Sequence, residues 1–523
     1  MTAVAAVGEP PARTYGNWRR PSTPGLPRLG MLGTAAALGA LVMVMLVQVV
    51  AGLAAAAAAL VVAGVLVAPL AWRDRAGRTG WQALLARVAW AAGRARGQDL
   101  YLASRVAAPA ARRRAAGQQA AVSLAFGSAR LPGLLAGSAL LENTDTGGAP
   151  FAVVVVPAPA GRQYTVLLRC DPDGAALVDP ETADEWVAQW GAWLARLAHE
   201  PGLVAVSVTM QTSPDPGERL AAEARTLLVE NAPPLARAVL TEAAAAYAVG
   251  AAATATWVAL TFTGRTGVGS ARGRREAAVV EQLGRRLPGL LAGLSATGAG
   301  ACRPMAAGEV TALVRAAYDP AAWPLLHRAA ATGEDPQLGW GDAGPTAQAE
   351  APDHLRHDGA ASVTWMMTEP PRGAVHAGVL EPLLAPDPRL ATKRVTVTYR
   401  PHDAATAVRV ADTDVRTALG QATLRRGESR AVETAALAAA RQTAAEQAAG
   451  AGLVRFSLLV TATVAAATDL PLAAEVVEAL GPACQLRLRR VRHGQSAAFA
   501  AALGVGVVLT SHVRVPESLR EAL

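Results

Sequence analysis

The densest group of residues with metal-binding side chains is the run Asp353-His354-Leu355-Arg356-His357-Asp358. In a helix, histidines three positions apart share one face, and with the flanking aspartates they would suit a divalent cation. The chain has no HExxH motif, however, and Arg356 puts a positive charge between the two imidazoles. The pattern therefore favours a solvated or structural histidine pair, and we predict no metal ligand and no metal cofactor.

Phosphate binding has one candidate, the glycine-rich segment Gly264–Gly273. Its glycine spacing does not make the GxGxxG fingerprint, and its arginines are typical of an exposed loop. A P-loop needs a lysine directly before Ser or Thr, so that the amine reaches the β- and γ-phosphates. Lys393 is the only lysine of the chain, and it follows Thr392 and precedes Arg394. The sequence therefore excludes a P-loop.

Nucleophilic catalysis has no recognisable motif in this sequence. There is no Gly-x-Ser-x-Gly elbow. Cys170, Cys302 and Cys484 are far apart, and none belongs to a CxxC pair or to a Cys/His group with ligand spacing. We interpret them as buried thiols in a reducing compartment. We predict that the protein is not an enzyme and has no catalytic or cofactor-binding residue.

The first element that positions the rest of the chain is a long apolar segment. The 523 residues are 52% hydrophobic, with a mean hydropathy of +0.25. From Leu29 to Trp72 the only strongly polar side chains are Thr34 and Gln48. A single span needs about 20 residues. Residues 29–72 therefore predict a membrane hairpin of two transmembrane helices, Met31–Val49 and Leu53–Ala71.

Both flanks of this hairpin are basic. Up to Arg130 the chain carries a balance of +12, and the remainder carries about −4 within the net charge of +8. The positive-inside rule then places the N-terminal segment 1–28 and the chain after residue 72 on the cytoplasmic side of the plasma membrane. Residues 73–130 are predicted as a basic juxtamembrane helical segment in contact with membrane lipid. Because the basic excess lies beside the membrane, we expect no direct nucleic-acid binding.

Beyond residue 130, short β-branched runs alternate with amphipathic stretches, which is typical of an α+β fold. Two groups of elements share the order strand, helix, strand, two helices, strand, helix. This order predicts two modules of split β-α-β (ferredoxin-like) type, 131–295 and 359–523, joined by a helical and loop connector, 296–358. One stripe at helical spacing in the first module is predicted to pack into a core rather than to form a ligand cage: Trp186, Trp190, Trp193 and Leu197.

Two regions resemble parts of conjugative secretion machines. Arg13–Pro21 (RTYGNWRRP), followed at once by the membrane hairpin, resembles the small inner-membrane subunit of conjugative type IV secretion systems. The second module resembles the N-terminal, non-motor domain of the secretion ATPase of the CagE/TrbE type. The segments that carry this resemblance are Ser362–Gly373 (SVTWMMTEPPRG), Lys393–Ala404 (KRVTVTYRPHDA), Leu453–Ala465 (LVRFSLLVTATVA) and Gln495–Gly506 (QSAAFAAALGVG). The layout resembles the actinobacterial arrangement that fuses both parts in one polypeptide and encodes the ATPase separately.

The resemblance implies a non-enzymatic platform subunit of the inner membrane. Such a subunit docks the separately encoded motor ATPase and contacts other secretion-channel subunits, and the ring symmetry of these machines implies a homo-oligomer. The motor domain is missing, so ATP hydrolysis is not carried over. We expect the amphipathic faces and strand edges of Ser362–Val491 to supply the docking surface, with Arg394 and Arg400 among the contacts.

Two alternatives of other classes stay open. One is a membrane component of a type VII secretion system, which also couples two N-terminal spans to a cytoplasmic body. The other is a membrane-tethered, metal-dependent enzyme that uses His354 and His357. A relaxase and a separate motor gene nearby would favour conjugation, whereas bound metal would be needed to keep the enzyme.

Overall fold

The computed structural model describes one large antiparallel sheet with helices on both faces and a long apolar helix near the N-terminus. The described residues are 14–16, 18, 30–72, 79–103, 130–172, 174, 178–215, 218–229, 231–248, 252–264, 272–334, 336–371, 373–424 and 430–513. The predicted α+β class is confirmed in this form.

The apolar segment forms helix α1, Gly30–Ala71, of 42 residues. A helix satisfies its own backbone hydrogen bonds, which an apolar surrounding cannot do. The stretch Gly33–Leu70 is long and apolar enough to cross a membrane. The two helices predicted from the sequence, Met31–Val49 and Leu53–Ala71, fall within this one helix, which is interrupted at Gly52, where the dihedrals (φ 82°, ψ −180°) are non-helical. A single glycine outside the helical region redirects the chain while helical hydrogen bonding continues on both sides of it.

Helix α2, Gly80–Ala95, follows and is held against the end of α1. Thr79 caps it, because the Thr79 side chain accepts a hydrogen bond from Gln82 N and the Gln82 side chain accepts one from Thr79 N. The indole of Trp81 donates to Leu66 O of α1 at 2.8 Å. Of the predicted juxtamembrane segment 73–130, residues 73–78 and 104–129 lie outside the described residues.

Every neighbouring pair of strands in the sheet is antiparallel. The thirteen strands are β1 Leu100–Leu102, β2 Ala139–Thr144, β3 Pro150–Ala158, β4 Gly161–Asp171, β5 Leu203–Pro214, β6 Ala252–Thr263, β7 Ala301–Pro304, β8 Ala347–Glu350, β9 Leu355–His357, β10 Ala360–Glu369, β11 Thr392–Pro401, β12 Val454–Val464 and β13 Arg487–Arg490. Their order is β1-β8-β9-β10-β12-β11-β5-β6-β4-β3-β2, with β7 beside β4 and β13 beside β10.

The sheet has two halves with the same order of strands. In the first half, β2 to β7, the order is β7-β4-β6-β5, and the hairpin β2–β3 pairs with the beginning of β4. In the second half, β8 to β13, the order is β13-β10-β12-β11, and the hairpin β8–β9 pairs with the beginning of β10. The halves join where β5 pairs with β11, from Val206 opposite Tyr399 to Thr212 opposite Lys393.

This sheet is wider than two four-stranded modules. The hairpins add strands to each half, and the pairing of β5 with β11 makes the two halves one continuous sheet. Residues 296–358, predicted as helices and loop, also contribute the strands β7, β8 and β9. Each of these has only three or four residues, which is too short for an alternating pattern to be visible in the sequence.

The remaining helices lie on two faces of the sheet or project from it. They are α3 Pro180–Leu197, α4 Glu218–Leu227, α5 Pro234–Ala248, α6 Arg272–Leu291, α7 Ala307–Tyr318, α8 Trp323–Thr332, α9 Glu381–Leu384, α10 Ala404–Leu424, α11 Arg430–Ala448, α12 Leu470–Ala483 and α13 Gln495–Ala502. On one face, the crossover face, α3 and α6 cover the first half and α9 and α12 cover the second. On the other, the strap face, lie α7 and α13.

The tryptophan stripe of α3 packs into the core of the crossover face, so that prediction is confirmed. Trp193 is 1% exposed, stacks on Trp190 at 5.0 Å between ring centroids, and donates to Leu290 O of α6 at 3.1 Å. Leu197 is also buried. The ring of Trp190 lies edge-on to Tyr399 of β11 at 5.6 Å, so α3 reaches across the junction of the two halves.

The C-terminal strap, residues 495–508, consists of α13 and the six residues after it, and it crosses the strap face over both halves. In the second half, Thr396 Oγ1 donates to Ala502 O at 2.7 Å. In the first half, Gly506 lies so close to β4 that a Cβ there would be 1.9 Å from Thr165 Oγ1. Gly506 has φ +94°, a conformation that favours glycine. The strap therefore fastens the halves to each other.

Candidate functional site

The histidine pair named as a metal candidate lies at a strand instead of on a helix. His357 ends β9 and is buried; its Nδ1–H donates to Tyr318 O at 2.5 Å, and its Nε2 accepts from Ser362 Oγ at 2.7 Å. Ser362 Oγ is in turn 2.8 Å from Thr463 Oγ1. Burial lowers the pKa of His357 to about 4, so the imidazole is neutral near pH 7 and serves as a structural hydrogen-bonding group.

His354 has different partners. Its Nδ1 lies 2.9 Å from Asp353 Oδ1, and Asp353 Oδ2 lies 3.4 Å from Arg490 Nη2. Burial raises the pKa of Asp353, but the hydrogen bond from His354 and the charge of Arg490 outweigh it and lower that pKa. Across the described residues, no three or more His, Cys, Asp or Glu side chains are grouped to hold a metal ion. The structure does not bring His354 and His357 into one site.

The structure also shows where the ends of the phosphate candidate and the single lysine lie. In the segment Gly264–Gly273 only the ends are described: Gly264 N donates to Arg162 O at 3.2 Å, and Gly273 belongs to α6. Residues 265–271, where the loop was predicted, lie outside the described residues. Lys393 is buried, and its Nζ donates to Ala385 O. Burial lowers the pKa of this amine.

Of Arg394 and Arg400, both expected as contacts for a motor protein, Arg394 is buried, and the expectation is corrected for this residue, whereas Arg400 is half-buried. Arg394 is 1% exposed; its Nε and Nη2 donate to Gln211 Oε1 at 3.0 and 2.6 Å, and its guanidinium lies 5.8 Å from the ring centroid of Phe499. Burial lowers the pKa of Arg394 to about 10, so it stays charged at pH 7. Arg400 Nη1 donates to Thr510 Oγ1 at 2.8 Å.

Among the strand edges expected to dock a partner, those of β10 and β11 are occupied within the chain. β11 has β12 on one side and β5 on the other, and β10 has β12 on one side and both β9 and β13 on the other. The sequence treated the second module as a separate sheet with its own edges, whereas the first half of the chain covers one of them.

Helices α4, α5 and α8 carry large apolar side chains that no other described element covers. α4 packs against both α5 and α8. The exposed fractions of five side chains on these helices and the turn after α4 lie between 55 and 76%. We call this set the apolar surface: Leu227, Val229, Leu235, Val239 and Leu325. Apolar side chains grouped on one surface mark a site of interaction with another protein more often than singly scattered ones do.

A shallow groove adjoins the apolar surface on α5. It has a volume of about 670 Å³ and polar groups among its lining residues, which are Ala232, Pro234, Arg237, Ala238, Thr241 and Glu242. Arg237 and Glu242 give this rim one charge of each sign. An apolar patch with a polar rim is the usual composition of a protein–protein interface.

The corresponding helices of the second half, α10 and α11, pack on each other through alanines. Ala407, Ala411 and Ala418 of α10 are buried, as is Ala440 of α11. The large apolar side chains left exposed on α10 are Val408 and Leu419, each 45% exposed. The two helical hairpins therefore occupy equivalent places between strands but present different surfaces.

A residue that precedes α1 in the sequence contacts the body that follows it. Tyr15, which precedes α1, forms an antiparallel bridge with Val375: each backbone N–H donates to the other's carbonyl at 2.8 Å. The Tyr15 hydroxyl donates to Asp184 of α3. Following α1, the α2 helix exposes Leu84, Leu85 and Val88.

The comparisons with known proteins concern only the apolar segment near the N-terminus. The family model of a domain of unknown function, DUF8461, matches residues 22–82, which contain α1 and the start of α2. A comparison with curated proteins finds no match. The matched family therefore relates to the apolar segment and says nothing of the sheet.

Sequence reasoning missed the apolar surface. Leu235 and Val239 stand four residues apart on α5, as a buried stripe would, and the sequence therefore gave no reason to expect them outside. Sequence reasoning also treated Cys170 and Cys302 as unrelated thiols, although they lie opposite each other on β4 and β7. A strand of four residues such as β7 leaves no signal of its partner.

Proposed function

We propose that the protein is a two-pass membrane platform whose body, on the cytoplasmic side, docks a separately encoded motor ATPase of a conjugative, type IV-like secretion machine. The observation that carries the topology is the bridge between Tyr15 and Val375. These residues lie on opposite sides of α1 in the sequence and on the same side of the membrane in this contact. This contact supports an apolar segment that enters the membrane and returns to the same side.

Gly52 supports a return inside the membrane. It divides α1 into arms of about 22 and 19 residues, or about 33 and 29 Å, each long enough for the hydrocarbon layer. Along both arms, partly covered residues recur every three or four positions, as if each arm faced the other. These positions are 34, 37, 40, 44 and 47 in the first arm and 55, 56, 59, 63 and 67 in the second.

Basic flanks support a cytoplasmic location for the body, as the positive-inside rule requires. Arg87, Arg94 and Arg96 lie on or directly after α2, next to the end of α1. The exposed Leu84, Leu85 and Val88 of the same helix suit the lipid interface. Together they support α2 as an interfacial helix of the cytoplasmic leaflet.

The body is proposed as a duplicated split β-α-β unit. The orders β7-β4-β6-β5 and β13-β10-β12-β11 are the 4-1-3-2 order of that unit. Each unit carries a hairpin before its first strand and a helical hairpin between its second and third. This likeness within the chain agrees with the resemblance of the second module to the non-motor domain of the secretion ATPase.

The apolar surface is the proposed docking site for the motor. A platform related to a domain that is normally fused to a motor needs a surface that replaces the covalent link. Leu227, Leu235 and Leu325 supply apolar area, and Arg237 and Glu242 supply a polar rim. Single interface residues of this kind typically contribute more than 1 kcal/mol only when they are buried by the partner.

The experiment is a pull-down of tagged, full-length protein from detergent-solubilised native membranes, with mass spectrometry of the recovered proteins. We expect a P-loop motor together with conjugation proteins. Leu235→Glu should reduce recovery of the motor at least tenfold, since it puts a charge into the interface. The matched control is Val408→Glu on α10, which should leave recovery unchanged. Recovery of type VII components instead, or of no motor, would overturn the proposal.

Topology is tested separately by cysteine labelling in whole cells. Val50→Cys, next to Gly52, should react with a membrane-impermeant maleimide added outside, because the turn between the arms reaches the outer surface. Thr79→Cys, before α2, should react only after the membrane is opened. Labelling of both positions from outside, or of neither, would contradict two crossings.

A further inference from the structure

Cys170 and Cys302 form a pair of thiols that the sequence separates by 132 positions. They occupy directly opposed positions of the antiparallel strands β4 and β7. Their sulfur atoms are 3.5 Å apart. A disulfide bond is about 2.05 Å long, so a closure of roughly 1.5 Å would join them. Opposed positions on neighbouring strands also keep the two Cα atoms within the range that a disulfide requires.

The two thiols differ in access. Cys170 is fully buried, in the core that α3 and α6 make with the crossover face. Cys302 is half-buried, and its Sγ lies 3.5 Å from Gly300 O and 3.8 Å from Ala299 O at the end of the sheet. A reagent from solution therefore meets Cys302 first, and Cys170 is placed behind it.

The pKa shifts of the two thiols indicate the same order of reaction, with Cys302 before Cys170. The hydrogen bond between the two thiols lowers the pKa of Cys302, although burial and the charge of Asp171 oppose this. The same hydrogen bond and burial raise the pKa of Cys170. The thiolate is the reactive form of cysteine. Cys302 is thus the attacking sulfur and Cys170 the resolving one.

We propose that Cys170 and Cys302 are a dithiol site that low-molecular-weight disulfides oxidise to an intramolecular disulfide. In the first step, Cys302 Sγ⁻ attacks one sulfur of the small disulfide, the S–S bond breaks, and one small thiolate leaves. In the second, Cys170 Sγ attacks Cys302 Sγ of the mixed disulfide, and the second small thiolate leaves with the Cys170 proton. Two protein thiols are oxidised, and one small disulfide is reduced to two thiols.

The chain contains its own control. Cys484, the third cysteine, is buried at the C-terminal end of α12, where burial raises its pKa. It lies in the second half, in a core that contains neither Cys170 nor Cys302. We therefore expect Cys484 to stay a thiol under conditions that oxidise the pair.

The test uses full-length protein in detergent, incubated with increasing ratios of oxidised to reduced glutathione and then alkylated. We expect free thiols to fall from three to one per chain, with a peptide cross-linked between Cys170 and Cys302 by mass spectrometry and a raised melting temperature that dithiothreitol reverses. Cys484→Ser should behave like the unchanged protein. Cys170→Ser should instead accumulate one glutathione adduct on Cys302, and Cys302→Ser should form neither product.

Two results would overturn the site. One is retention of three free thiols at every ratio, while denatured protein reacts fully. The other is a stable glutathione adduct on Cys302 of the unchanged protein, which would mean that Cys170 does not resolve it. Cys302→Ala is the second variant should the serine disturb folding. Since the readout is thiol state, it does not depend on the proposed docking function.

Discussion

The two halves of the sheet have the same strand order but different interiors. On the strap face, the first half presents Ala152, Val154 and Val156 from β3, together with one hydrogen-bonded pair of hydroxyls, Thr165 and Thr261. The second half presents a buried hydrogen-bonded chain from His357 through Ser362 to Thr463. Both halves keep apolar residues towards the crossover face. We infer that one apolar face is sufficient to specify this strand order. The other face tolerates buried polar side chains when they have hydrogen-bond partners.

The connections differ as well. Between β4 and β5 the chain forms α3, with 18 residues, whereas between β10 and β11 the described helices are a 3₁₀ turn, Ala377–Leu380, and the four-residue α9. At the junction on the crossover face, Trp190 of α3 packs on Tyr399 of the second half. The longer helix of the first half thus also contacts a strand of the second.

The largest expected effect comes from separating the halves at the strap. Gly506→Ala places a Cβ 1.9 Å from Thr165 Oγ1 and strains a residue with φ +94°. We expect a loss of about 4 kcal/mol in the free energy of unfolding, from backbone strain and overpacking combined. Chemical denaturation of the purified protein in detergent measures it.

Gly450→Ala is the matched control, because Gly450 has φ +99° with nothing within 4 Å of the added Cβ. It should lose only the backbone strain, about 1 to 2 kcal/mol. Equal losses for the two variants would mean that contact of the strap with β4 does not hold the halves together.

The next effect concerns the buried cation of the second half. Arg394→Ala removes the donors to Gln211 Oε1 and leaves a cavity beside Phe499. We expect a loss of about 3 kcal/mol. In the first half, Thr165→Val breaks only the hydrogen bond with Thr261 (3.1 Å) and should cost about 1 kcal/mol. Equal losses for the two variants would mean that the buried polar groups of the second half contribute no more to the free energy of unfolding than those of the first.

Several individual strands could be predicted from the sequence. From the sequence alone, short runs rich in β-branched and apolar residues predict a strand at Gln163–Cys170 and another at Ser362–Thr368, and the structure has β4 and β10 there. Such a run is a local property, so it can be recognised without knowing the partner strand. The stripe of α3 could be interpreted for the same reason.

Partners distant in the sequence could not be predicted. Arg394 alternates in phase with Thr396 and Thr398, which suggests a solvated face, but the strap from about a hundred residues later covers that face. The pairing of β5 with β11 likewise depends on how two remote segments meet. Alternation shows which side chains share a face and leaves open what lies on that face.

The pKa of His357 provides a further test of the buried polar groups in the second half. Its pKa is about 4 when folded and near 6.5 when unfolded. Between these values the unfolded chain binds the proton and the folded chain does not, so stability falls as the pH is lowered from 6.5 to 4. The full loss is about 3 kcal/mol. His357→Gln should remove this part of the pH dependence, and denaturation at pH 7 and pH 5 measures it. An unchanged slope would contradict a buried neutral imidazole.

The smallest effects come from ion pairs that fasten each half at its surface. In the first half, Arg162 and Glu276 join β4 to α6 at 2.6 Å, with both side chains at most 23% exposed. In the second, Arg487 and Glu369 join β13 to β10 at 3.0 Å, with the arginine 56% exposed. Exposed pairs contribute little because water and salt screen them. We expect Glu276→Gln to cost about 1 kcal/mol and Glu369→Gln about 0.3 kcal/mol, both measured by denaturation. Raising the salt concentration should reduce the cost of Glu369→Gln more than that of Glu276→Gln. A larger reduction for Glu276→Gln would show that solvent exposure does not determine the difference between the two ion pairs.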